Sequence, residues 1–199
     1  MIDKNNFPVR VEGRSVILEE IQPKFFPYVI EWRNDPELNK FLNQPYKLTL
    51  ELEQKWYEEI YLNDDTQAFW IAVDKQTEIP FATQGWTKLD RVNKKINGGR
   101  LMLGNPEYAK KPAFMESFFV VGDFIYSVAD TEYIHVVKDN KKALRINKMM
   151  GFIPNTGQIQ YPQELFVNGM EQIEFYRTKE IFLKIRKKFL ENLNNSLFS

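Results

Sequence analysis

Cysteine is absent from the 199-residue chain, and histidine occurs once. Without thiols there is no disulfide framework, no thiolate zinc site and no cysteine nucleophile. A single imidazole excludes a multi-histidine metal centre. An excess of one charge is missing too, since 27 Lys and Arg face 27 Asp and Glu. Binding to nucleic acid or to a membrane surface usually rests on a basic excess, so neither partner is expected. No apolar run approaches the length of a membrane span. Residues 1–6 lack the apolar core of a signal peptide, so a cytoplasmic protein is expected. Core-forming material is plentiful: 43% of residues are hydrophobic and 15% aromatic. That suits one well-packed domain over 1–199.

Val9 to Ile21 reads as a strand pair, or as one long strand bent at Gly13. Pro23 suits a first helical turn, and Phe25, Tyr28, Val29 and Trp32 recur at helical spacing. The run Asn34-Asp-Pro36 breaks that helix, and a short one follows through Phe41. Thr49 caps a third helix, with Leu52, Trp56 and Ile60 on its apolar stripe. Three strands come next, Phe69–Val73, about Ile79–Leu89 and Arg100–Gly104, and tight turns make them an antiparallel meander. Asp90 to Gly99 is read as the loop into the last of these. A helix from about Ala113 to Val128, apolar nearly all round, precedes a strand Tyr133–Val137 on its far side, so the sheet is mixed. Gln158–Val167 and Met170–Arg177 flank Asn168-Gly169, the strongest short hairpin signal in the chain. From about Thr178 to Leu197 a helix carries Ile181, Ile185, Phe189 and Leu193 at fourfold spacing; its stripe packs on the sheet or forms a homodimer contact.

The stretch from Gly99 to Phe152 holds the chemistry. Pro112 fits the first position of a helix, where its missing N–H is no loss. Lys110 and Lys111 then lie at a helix N-terminus, whose free N–H groups and dipole favour an anion. The same residues also read as a solvated lysine turn. Asp139 or Asn140 caps the helix after the second strand; Ala143, Ile146, Met149 and Met150 give its buried stripe, and Gly151 its left-handed stop.

Taken in order, strand, helices, meander, lysine turn, buried helix, strand, then Asn140-x-x-Ala143 and Gly151-Phe152, residues from about 9 to 178 resemble the GCN5-related N-acetyltransferases. Trp32-Arg-Asn-Asp-Pro36 resembles the branch of ribosomal-protein-type and amino-sugar acetyltransferases. The resemblance implies an α+β fold with a mixed, mostly antiparallel sheet of six or seven strands, splayed at its centre and flanked by helices. A C-terminal helix over about 179–199 is an addition to it. Acetyl-CoA is the implied cofactor, with no metal. Its pantetheine arm would lie along the backbone of Met102, Leu103 and Gly104, and its pyrophosphate on Ala109, Lys110, Lys111, Pro112, Ala113 and Phe114. Asn140, Ala143 and Asn147 complete the implied cofactor site. The chain departs from the family at several of these positions. The loop's leading Gln or Arg is Ala109, and its two small positions hold Pro112 and Phe114, which remove one N–H and restrict backbone approach. The family's frequent tyrosine acid is Asn147, so the thiolate leaves unassisted or is protonated by water.

The implied reaction is attack of a primary amine on a thioester, assisted by a base near neutral pKa. His135 is the one side chain whose ordinary pKa fits; Glu107 and a water chain are the other candidates, and a lone histidine in an apolar strand also has a purely structural reading. For the acceptor, the aromatics Trp86, Tyr46, Trp56 and Tyr161 lie in regions that form the family's acceptor cleft, where rings stack on a sugar or base. Branch resemblance points to a nucleotide-linked amino sugar. A protein N-terminus or another small amine is the alternative acceptor, and a non-catalytic relative with an altered pyrophosphate loop is the alternative class.

Overall fold

The computed structural model describes residues 9–195, with side chains through 191. The readings of residues 1–6, of Leu193 in the last stripe and of the helix end at Leu197 lie outside the described residues. Near the N-terminus the strand pair forms: β1 (Arg10–Glu12) and β2 (Val16–Glu20) are antiparallel, with Val11 opposite Leu18. Glu116 holds the intervening turn from the far side of the sheet, accepting from the Ser15 N–H at 2.7 Å. Pro23 opens a 3-10 turn that leads into α1 (Phe26–Asn34). Asp35 accepts the Glu37 N–H at 2.8 Å and caps α2 (Pro36–Asn39). Thr49 Oγ1 likewise accepts from the Leu52 N–H to start α3 (Leu50–Glu59).

The meander is β3 (Ala68–Asp74), β4 (Pro80–Asp90) and β5 (Lys95–Leu103). It is followed by α4 (Pro112–Val128), β6 (Thr131–Val137) and α5 (Lys141–Met149). Short β7 (Ile153–Pro154) and β8 (Phe166–Val167) precede β9 (Met170–Thr178) and α6 (Lys179–Asn195). The order across the sheet is β1-β2-β3-β4-β5-β6-β9-β7, with β8 on β9, nine strands among the described residues. Only β5 and β6 pair in parallel among them. One core lies under α4, with Leu18, Trp70, Trp86, Ile96, Phe114 and Phe182; a second lies under α1 and α3, with Ile17, Phe26, Val29, Phe69 and Ile71.

Four expectations need correction. The strand count exceeds seven because β1 stands apart from β2 and two-residue ladders form at β7 and β8. Pro162 turns the expected strand 158–167 into a 3-10 turn, leaving only Phe166–Val167. On α3, Leu52 and Ile60 are exposed while Glu53 is buried. Trp56 and Tyr57 carry the packing there, against Phe26, Tyr61 and Phe69. On α5, Met149 is exposed, and Asn147 and Met150 turn inward. The stripe on α6 is used within the chain. Phe182 fills the space a Cβ would need at Gly122 of α4, Phe189 stacks on Phe119 at 4.1 Å, and Arg186 pairs with Asp123 at 2.6 Å.

Candidate active site

The two parallel strands run together for only three residue pairs, Lys95–Thr131, Ile96–Glu132 and Asn97–Tyr133, and then part. A bulge in β5 accounts for the parting. Along β4, Thr83 faces Met102 and Gly85 faces Gly99, so two steps of β4 match three of β5. Gly99 (φ 149°) and Arg100 (φ 53°) absorb the extra residue. A non-glycine in the left-handed region is strained, and the Thr83 hydroxyl, donating to Arg100 O at 2.5 Å, holds it there. A bulge bends the strand that carries it. The β6-facing edge from Gly98 to Leu103 is thereby left without a strand partner.

At its far end β5 runs into a 3-10 turn, Pro106–Lys110, and then α4, whose N-terminus has no side-chain cap. Lys110 is exposed there; Lys111 Nζ sits 3.7 Å over the Tyr108 ring, which stacks on Phe81. Pro112 has no N–H, and the Phe114 N–H turns back to Lys111 O at 3.2 Å. The Ala113 N–H and the lysine charges are what this end offers an anion.

At the near end a cleft of about 530 Å³ opens, its floor Asn97, Gly98, Gly99 and Arg100. Asp64 and Gln67 wall one side, and Lys88 and Glu164, an ion pair, the other. Asn168, at the β8–β9 turn, donates to Leu42 O at 2.6 Å and ties that turn to the loop after α2. His135 lies beside the floor: Nδ1 is 3.2 Å from Asn97 Oδ1 and Nε2 is 3.1 Å from Glu174 Oε2. Glu174 also accepts from Asn155 Nδ2 and from the Gln160 and Tyr161 N–H groups, which outweigh its burial and hold its pKa below the ordinary value. Burial drives the His135 pKa down in spite of that carboxylate. The imidazole is therefore neutral and has one N–H; donated from Nε2 to Glu174, it leaves Nδ1 an acceptor, so the Asn97 amide bonds it with its NH2 group turned toward the ring.

No family model matches the chain, and no curated protein matches its sequence. Solved structures match it in shape. The spermidine N-acetyltransferase from Vibrio cholerae, solved with CoA and spermine, has a TM-score of 0.72 at 15% identity, over 86% of this chain and 99% of that one. An apo nucleotide-linked sugar GNAT gives 0.71 at 17%, over 93% and 97%. A GCN5-related N-acetyltransferase from Brucella melitensis gives 0.71 at 17%, over 94% and 89%. The chain has the GNAT fold.

Within that GNAT fold the sequence-derived residues separate. Met102 and Leu103 lie on the free edge of β5, and Gly104 just beyond it packs so closely on Trp32 that a Cβ would enter the indole. Ala109 to Phe114 form the turn and helix start already described. Asn140 Oδ1 accepts the Ala143 N–H at 3.0 Å, and Asn147 Nδ2 donates to Ala143 O at 3.0 Å, so both side chains are engaged within α5. His135 is adjacent to the cleft floor, but its side chain is only 6% exposed. Tyr161 packs edge-on against His135 and is buried, which pushes its pKa up to about 12. Trp56 lies under the Arg100 guanidinium at 5.2 Å. Three residues are not brought to the cleft. Trp86 has no exposed surface and packs on Trp70, as core. Tyr46 projects from an exposed loop outside the lining, and Glu107 is exposed in the turn beyond the opposite end of β5. Sequence reasoning missed Asn97, Arg100, Gln67 and Glu174. Gly98-Gly99 was the available signal, because adjacent glycines in a strand mark a bulge or a close approach.

Proposed function

We propose that the chain is an acetyl-CoA-dependent N-acetyltransferase acting on the primary amine of a small acceptor, with a nucleotide-linked amino sugar as the leading candidate. The splay of β5 from β6 carries this reading: an unpaired strand edge leads from a polar cleft to an uncapped helix N-terminus flanked by lysines. Backbone groups from Gly98 to Leu103 would hold the pantetheine arm, and Ala113 N–H, Lys110 and Lys111 the pyrophosphate. Acetyl-CoA supplies the activated acetyl group. Asn97, fixed by His135 and through it by Glu174, would orient the acceptor on the floor, while the buried imidazole is a positioning group for that amide. The amine's proton would leave through water in the open cleft. The resemblance of Trp32 to Pro36 supports the amino-sugar branch.

The thermal midpoint with and without acetyl-CoA tests the proposal. At a hundred times Kd, a ligand bound only by the folded state adds about 2.7 kcal/mol, or roughly 5–10 °C for a chain of this size. Absence of a shift at millimolar acetyl-CoA would refute the transferase and favour the non-catalytic reading, for which Pro112 and the engaged Phe114 N–H argue. Thiol release with amino-sugar nucleotides then tests the acceptor.

A further inference from the structure

Arg100 lines the cleft and makes no salt bridge among the described residues. Arg100, in its strained bulge, lays its guanidinium 5.2 Å from the ring centroids of both Trp56 and Phe69. One amino group bonds Gln67 Oε1, and Nε has no partner. Burial lowers the Arg100 pKa to about 10, and the charge of Arg33 on α1 adds to it against the pull of Tyr61, Glu53 and Asp64. The carboxylates of Glu53 and Asp64 attract Arg100, but neither forms a salt bridge with it. Glu53 is 1% exposed, its Oε1 accepts no hydrogen bond, and burial raises its pKa although both arginines are close. Asp64 accepts from the Thr66 N–H, the Thr66 hydroxyl and Gln67 Nε2. Glu164 is matched by Lys88. The remaining neighbour with a charge effect on Arg100 is the Tyr61 phenol, which is hydrogen-bonded to Glu20 at 2.7 Å.

A guanidinium held against two aromatic rings is pre-organised, so little rotamer freedom is lost when it binds. Its geometry matches phosphate and carboxylate oxygens. This guanidinium lies at the cleft floor, where an acceptor must rest. We propose that Arg100 docks an oxyanion carried by the acceptor, a phosphate or a carboxylate, and that the cleft disfavours polyamines. This rests on the transferase reading and narrows its substrate to anionic amines.

The test uses the full chain already saturated with CoA, so that added phosphates do not occupy the cofactor loop. Uridine diphosphate, glutamate and spermidine are then titrated while the thermal midpoint is followed. Uridine diphosphate is expected to raise the midpoint further, with half-saturation roughly tenfold to a hundredfold weaker in Arg100→Gln. If glutamate acts in its place, the anion is a carboxylate. The CoA shift in Arg100→Gln reports that the variant is folded; should it be lost, Arg100→Lys, which keeps the charge but not the guanidinium fork, carries the same comparison. The proposal is overturned if neither anion shifts the midpoint at about 10 mM, if spermidine outperforms both, or if every arginine variant that retains the CoA shift binds the anions like wild type. Failure of CoA itself to stabilise the protein would instead sink the transferase reading.

Discussion

Replacing Glu174 by glutamine tests whether one buried carboxylate organises the floor of the cleft. The side chain is 1% exposed and receives four donor groups: His135 Nε2 at 3.1 Å, Asn155 Nδ2 at 2.6 Å, Gln160 N–H at 3.0 Å and Tyr161 N–H at 2.9 Å. Glutamine keeps the shape but turns one oxygen into a donor. Whichever way the amide is set, at least one donor then faces an N–H group, and the other bonds lose the strengthening that an ionised acceptor gives. Leaving a buried donor unsatisfied costs about 1–3 kcal/mol, and each weakened charge-assisted bond about 1 kcal/mol more. Relief from burying an ion opposes this. The bonds win, because they already hold the carboxyl below its ordinary pKa against burial. A net loss of about 3 kcal/mol follows, or roughly 6–12 °C in Tm. Calorimetry, with urea titrations to confirm an unchanged m-value, reads it directly. A Tm within about 2 °C of wild type would show that the charge on Glu174 does not organise this region.

Two further outcomes follow from single contacts. Gly104→Ala drives a Cβ into the Trp32 indole and should destabilise by about 1–3 kcal/mol; urea midpoints of the variant alone and combined with Trp32→Phe will show a smaller loss in the double variant if the clash is the cause. Stability should also rise with pH on the acid side of 6.5 because of His135. Its folded pKa lies below the ordinary 6.5, so between those two values the unfolded chain binds more protons. Stability therefore grows with pH through that window, is complete above it, and falls as pH drops. The window should flatten in His135→Gln, and an identical pH profile in that variant would contradict the assignment.

Much of the fold was legible because its signals were local. Thr49 and Asn140 cap helices as their side chains dictate, and Asn168-Gly169 makes a hairpin with both residues at positive φ. Gly151 stops α5 in the left-handed region, φ 84°. What failed depended on contacts distant in sequence. Leu52, Trp56 and Ile60 fit a helical stripe, yet α3 turns Glu53 inward because Trp56 and Tyr57 find Phe26, Tyr61 and Phe69. Trp86 looked like a stacking platform until Trp70 covered it from the neighbouring strand. His135 stood out by chemistry, but its role depends on Glu174 and Asn97, 39 and 38 residues away.

The largest gap concerns β5. Alternation and turn signals divided this stretch into a loop ending at Gly99 and a strand beginning at Arg100. The structure makes one strand from Lys95 to Leu103 with a bulge inside it. Periodicity cannot show an extra residue in one strand, because a bulge exists only relative to the partner's register. That single residue has two effects. It ends the pairing of β5 with β6 after Asn97 and so opens the edge proposed for the cofactor. It also reverses the backbone at Arg100, a residue that regular alternation would have placed differently, and sets its guanidinium against Trp56 and Phe69 beside the cleft. Cofactor edge and acceptor charge thus share one cause, and deleting Gly99 to restore the register should remove both together.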